Sequence, residues 1–206
     1  LRHPKLPVPL KDIQADLQYH PDALHISHFS AKAEKGTIQG NGKVELGSDI
    51  RNYQEHRATL HVEYDNIHLH KGVYPSLPPI LRKFCEDMKT EGLLNGTLDL
   101  QYRNQTLGLA YTLKPHHASF EADDFPYPAN SIAGVLQYRE EGEHPTLTVD
   151  LHGQFGTRPF QLKGLLFGSG LRPDNSLRPG LDLQIHAESL NLDEQLYRAL
   201  EPYPET

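Results

Sequence analysis

Along most of this chain apolar residues occupy every second position, and that period admits few folds. Ile13, Ala15, Leu17 and Tyr19 alternate with Gln14, Asp16 and Gln18. The same spacing joins Ile38, Gly40, Gly42, Val44 and Leu46, and then Ala58, Leu60, Val62 and Tyr64. It returns in Leu94, Gly96, Leu98, Leu100 and Tyr102, in Leu107, Leu109, Tyr111 and Leu113, in Leu147, Val149 and Leu151, and in Leu181, Leu183 and Ile185. A strand points successive side chains to opposite faces, so each run predicts a strand with one apolar and one polar face. His20-Pro21-Asp22, Arg103-Asn104-Gln105 and Glu140-Glu141-Gly142-Glu143 read as hairpin connections. Such short connections make neighbouring strands antiparallel. The expected fold is mostly β: a long antiparallel meander of roughly ten strands, curled into a groove, with one or two short helices.

One segment changes period. Leu77, Ile80, Leu81, Phe84 and Met88 lie at i, i+3, i+4, i+7 and i+11, which is one face of a helix near residues 76–90. Ser76 is the expected N-cap, prolines fill the first turn, and Gly92 is the expected stop. A second helix is expected to start at Asp193, with Leu196, Ala199 and Leu200 as its stripe.

The pattern also repeats. Pro7–Tyr19 reads PVPLKDIQADLQY and Pro126–Tyr138 reads PYPANSIAGVLQY, an offset of 119 residues. Asn66-Ile67-His68-Leu69 leads toward the first helix, and Ser189-Leu190-Asn191-Leu192 leads into the second, 123 residues later. The chain is therefore read as one unit over 1–120 and a truncated second unit over 121–206, stacked as in a solenoid. The opening Leu-Arg-His-Pro has neither an initiator Met nor a signal peptide, so a fragment of a longer chain is expected.

A sheet with one apolar face must cover it. The apolar fraction, 37%, is below the usual range of about 45–50%. Two short helices are too few to cover ten strands. The inward positions include Gly40, Gly42, Gly96, Gly134 and Gly164, and the chain has only seven Phe and no Trp. Glycine within a strand marks bending or the close approach of another body, so the expectation is a trough that admits an apolar guest. Its predicted lining is Leu17, Ile38, Val44, Leu60, Val62, Leu98, Leu100, Leu109, Leu136, Val149, Leu162 and Leu183. The competing reading is a closed β-sandwich core that binds sugar or a partner protein.

Other chemistries find little footing. A net charge of −7 disfavours nucleic acid, whose phosphates demand a basic surface. The single cysteine, Cys85, excludes an internal disulfide, and its place on the helix reads as the edge of a buried stripe. No apolar run is long enough to span a bilayer. His68 and His70 share a strand face and could reach one metal ion, but no third ligand stands at a motif spacing, and His116-His117 would point to opposite faces. They read as solvated, as do the paired acids Asp123-Asp124 and Glu140-Glu141. Asn95-Gly-Thr97 and Asn104-Gln-Thr106 match glycosylation acceptors without further support. Phosphate loops, nucleophile elbows and zinc-protease helices are absent from the sequence. The expectation is a non-enzyme without cofactor or metal.

Two stretches carry a family resemblance. "Asp-Leu-Gln-Tyr … Leu24-His-Ile26 … Gly36-Thr-Ile-Gln-Gly-Asn-Gly-Lys-Val-Glu-Leu46" resembles strand pairs of the AsmA-like superfamily of bacterial envelope proteins. Glu91-Gly-Leu-Leu-Asn-Gly-Thr-Leu-Asp-Leu100 after a leucine-rich helix is similar to a second recurring element, which Leu190–Leu200 opens again. The resemblance implies a repeating β-groove in the periplasm, part of a protein anchored in the inner membrane by a segment absent here. It implies passive movement of phospholipid acyl chains between inner and outer membranes, with neighbouring repeats of the same parent chain as partners. The alternative it implies is a scaffold that pairs its open strand edges with an outer-membrane protein client.

Overall fold

The computed structural model describes residues 9–34, 36–47, 55–122, 125–141, 144–167, 180–187 and 194. Ten strands form one sheet: β1 (Leu10–His20), β2 (Ala23–Ala33), β3 (Gly36–Glu45), β4 (Arg57–Leu69), β5 (Glu91–Arg103), β6 (Thr106–Ala122), β7 (Phe125–Glu141), β8 (His144–Phe155), β9 (Arg158–Phe167) and β10 (Gly180–Ala187). Their spatial order is their chain order, every neighbour is antiparallel, and the sheet does not close on itself. The turn chemistry accounts for the local joins. Asn104 and Gln105 both take positive φ, 52° and 61°, the hairpin geometry whose twist matches that of its strands. Pro21 and Asp22 turn β1 into β2. The connection after Glu141 passes through residues 142 and 143, which lie outside the described residues.

Between β4 and β5 the chain makes a 3₁₀ turn, Tyr74–Ser76, and the helix α1, Pro79–Asp87. The helical period buries Ile80, Leu81, Phe84 and Cys85 and leaves Lys83 and Glu86 exposed. Its ends differ from the sequence expectation. Ser76 ends the 3₁₀ turn and caps nothing; Pro78 holds the N-cap position, with no side-chain bond. Gly92 is not the stop. The helix ends at Asp87, and Lys89 takes the left-handed φ of 44° that turns the chain out. Gly92 belongs to β5, where a Cβ would lie 2.4 Å from Ala118 Cα. The second expected helix, with Leu196, Ala199 and Leu200, lies outside the described residues.

α1 packs against the apolar face at the end where β4 leaves the sheet and β5 enters it, and it reaches β8. Around it Leu69, Leu94, Leu113, Ala118, Ile132 and Phe155 form a buried core. Next to that core Phe155 and Phe160 stack at 4.3 Å, and Phe120 meets Phe160 edge-on at 5.7 Å. The rings of Phe120 and Phe160 start three strands apart and meet above the small residues Ala129 and Gly153 between them.

The sequence repeat has a structural counterpart. In β1, Asp12 takes a φ of 50° and the pairing with β2 slips between Lys11 and Gln14. In β7, 119 residues on, Ser131 takes a φ of 54° and the pairing with β8 slips between Asn130 and Ala133. A β-bulge inserts an unpaired residue and re-aims the rest of its strand, so both copies carry the same kink at the same place. The expected division after residue 120 falls near the end of β6, and the sheet runs across it from β6 to β7.

Candidate functional site: the apolar face of the sheet

Strand register places all twelve predicted lining residues on one face. One row of paired positions contains Leu17, Ile26, Gly42, Leu60, Leu100, Leu109 and Glu140. Nearer α1 runs a row with Phe29, Gly40, Val62, Leu98, Tyr111, Tyr138, Leu147 and Leu166. Beyond it Ile38 joins Tyr64, Gly96, Leu113, Leu136, Val149, Gly164 and Leu183. Leu162 pairs with Leu151 and Ile185. Val44 lies in the row farthest from α1, with Leu24, Ala58, Tyr102 and Leu107.

Burial is uneven across this face. On β7 to β9, Leu136, Val149 and Leu162 are buried, as are Tyr138, Leu147 and Leu166. On β3 to β6 and on β10, Ile38, Val44, Leu60, Val62, Leu98, Leu100, Leu109 and Leu183 are half-buried. Leu17 on β1 is 59% exposed, Tyr19 beside it 71%, and Leu107 at the β5–β6 hairpin 48%. The predicted set therefore divides into a packed part and an open part. Its most exposed members, Leu17 and the neighbouring Tyr19 and Leu107, lie at the β1 edge and at the β5–β6 hairpin, whereas Ile38 and Leu183 pack against the buried core. Sequence reasoning left Ile26, Tyr102 and Leu107 out of the lining, although alternation alone places Tyr102 and Leu107 there.

The body that approaches most of the inward glycines is a neighbouring strand of the same sheet. Gly40, Gly42, Gly96 and Gly164 each face a larger side chain on a neighbouring strand, and that side chain covers the glycine. A Cβ on Gly40 would stand 2.6 Å from the Phe29 ring, one on Gly96 2.7 Å from Tyr64 Oη, and one on Gly164 2.7 Å from a Leu183 methyl. Gly42 lies beneath Leu60 in the same way. Gly134 is required by its backbone, which takes a φ of 131°. Pairing an aromatic ring with a cross-strand glycine restores the contacts that the glycine lacks. Tyr64 also donates through Oη to the Thr112 carbonyl at 3.2 Å. Among the described residues these side chains fill the space above four of the inward glycines.

Glu140, expected in a solvated loop, lies within β7 in the Leu17–Leu109 row and accepts a hydrogen bond from Tyr138 Oη at 3.1 Å. Among the described paired positions of this face the charged side chains are Glu140 and, opposite Phe155 at the other end of the sheet, Arg158. Burial, reinforced by this neighbouring carboxylate, pushes the Tyr138 phenol upward. Glu141 also belongs to β7, while Asp123 and Asp124 lie outside the described residues.

The opposite face is polar. His61 Nδ1 meets Asp99 Oδ1 at 2.6 Å across the β4–β5 pair, and Gln39 donates to Glu63 at 2.8 Å. A depression of about 340 Å³ opens here between Gln39, Glu63, Asn95, Thr97 and Lys114, and its polar walls offer little to a hydrocarbon. His116 Nε2 lies 3.1 Å from Asn66 Oδ1. Cys85 is fully buried, and burial pushes its thiol up to about 12, far from the range of a nucleophile. Among the described residues no helix is long and apolar enough to cross a membrane.

No family model, curated protein or solved structure matches the chain.

Proposed function

We infer that the open part of the apolar face, from β1 to β6 on the side away from α1, holds the hydrocarbon chains of a phospholipid. The observation that carries this reading is the continuous row Leu17, Ile26, Leu60, Leu100 and Leu109, which stays partly exposed in a sheet whose far end is sealed by α1. A non-directional apolar wall suits a guest without directional chemistry. At about 0.8 kcal/mol per buried methylene, half of a sixteen-carbon chain supplies about 6 kcal/mol, enough for binding that still lets the chain slide. Headgroups would stay in water at the open rim. Passive transfer between two membranes, and a periplasmic setting, come from the family resemblance and are part of the proposal.

The test is native mass spectrometry of the purified chain after exposure to phosphatidylethanolamine vesicles. Wild-type protein should carry phospholipid, and Leu100→Asp, with its fold verified by circular dichroism, should carry none. Wild-type protein free of lipid, or a Leu100→Asp variant that keeps it, would refute the reading.

A second reading has its own observation. Ile13, Leu17 and Tyr19 on β1 are 49%, 59% and 71% exposed, whereas their repeat counterparts Ile132, Leu136 and Tyr138 are buried. The counterparts lie on β7, which has β6 beside it; β1 has no such neighbour among the described residues. The β1 edge is therefore suited to receive a β6-like strand, from a neighbouring repeat or a client β-protein.

A further inference from the structure

We propose that Glu34, His68 and His70 form a binding site for a divalent transition-metal ion, Zn²⁺ in the first instance. The two histidines share the outer face at the end of β4, and Glu34 comes to them from the β2–β3 turn, where it takes a φ of 54°. One ligand atom from each residue lies within 4.8 Å of the others. Glu34 Oε1 and His70 Nε2 are already 3.7 Å apart, and the two imidazole rings are 5.3 Å apart. Ligands bound at about 2.0–2.1 Å around a tetrahedral ion stand roughly 3.3 Å from one another, so the cluster needs only small side-chain rotations to close. Two imidazoles and one carboxylate form a known zinc set whose remaining position goes to water, and zinc imposes no geometric preference of its own.

Binding has a specific local consequence. The Gly72 N–H donates to His70 Nδ1 at 3.1 Å, which leaves the proton of a neutral ring on Nε2. Coordination through Nε2 displaces that proton and requires one on Nδ1, so the Gly72 contact must break. Gly72 sits in an exposed turn and can move. The metal would tie the β2–β3 turn to the end of β4, just before the chain enters α1. Because the ion favours the folded state, it would raise the melting temperature.

The experiment is a calorimetric titration of metal-stripped protein with ZnCl₂, alongside Glu34→Gln, His68→Gln and a His20→Gln control. All three substituted positions are exposed, and circular dichroism verifies each fold. Wild type and the control should bind one ion with equal affinity, and the two site variants should bind at least about tenfold more weakly. The Gly72 amide resonance should shift on binding in wild type and stay in place in His68→Gln. Equal affinity in all four proteins, absence of binding in wild type, or a Gly72 amide indifferent to zinc would overturn the proposal.

Discussion

At the scale of single residues, the polar face shows how a strand pair sets a charge state. His61 stands directly opposite Asp99, and the hydrogen bond to that carboxylate raises its pKa against a smaller opposing effect of burial; Glu63 adds to the rise. A histidine whose folded pKa lies above its unfolded value contributes stability that is fully present below about pH 6.5 and is lost as pH rises through the folded value. Asp99→Asn should therefore bring the His61 titration, tracked by NMR, down toward the unperturbed value. It should also reduce the fall in melting temperature between mildly acidic and mildly alkaline pH. A His61 titration unchanged by Asp99→Asn would show that another group sets it. Cross-strand partners of this kind cannot be read from a single run of sequence, since His61 and Asp99 lie 38 positions apart.

At the scale of elements, α1 shows how closely periodicity decides a buried face and how loosely it decides the ends. The apolar spacing selects Ile80, Leu81 and Phe84, and all three are buried. The ends escape a reading by residue type, because Pro78 holds the N-cap, Met88 the C-cap, and Lys89 rather than a glycine takes the left-handed turn that follows. The helix lies between the Tyr74–Ser76 turn and the start of β5 at Glu91. Tyr74 Oη secures this corner with a hydrogen bond to the Thr90 carbonyl at 2.5 Å. Leu81 is 0% exposed beneath the helix, so Leu81→Ala should cost about 2–5 kcal/mol. Urea unfolding should show this as a lower midpoint at an unchanged slope, and a midpoint within error of wild type would show that α1 does not seal the face.

For the whole molecule, the repeat supplies an internal control. Leu17 and Leu136 are the same residue at the same place in two copies of one strand, and their exposure is 59% and 3%. The difference comes from neighbours: β7 is flanked by β6 and β8, while β1 pairs with β2 alone among the described residues. Leu17→Lys should shift stability by no more than about 0.5 kcal/mol, while Leu136→Lys should cost more than about 4 kcal/mol or prevent folding. Thermal unfolding of the pair decides this, and equal losses would mean that the β1 face is covered. A sheet of this kind grows by adding strands, so the fate of an identical segment depends on its position in the stack.

Alternation and short turns act within a few residues of each other. They are legible in the chain alone, and they set the strands, their antiparallel order and the face on which every lining residue lies. Four outcomes were left to the assembled sheet: which part of that face stays open, that Phe29, Tyr64 and Leu183 cover the glycines, that Glu140 belongs to the apolar row, and that Glu34 comes beside His68 and His70. Those outcomes depend on which residues meet across strands and on how many neighbours a strand has. Register and bulges decide both, and they exist only once the strands have paired.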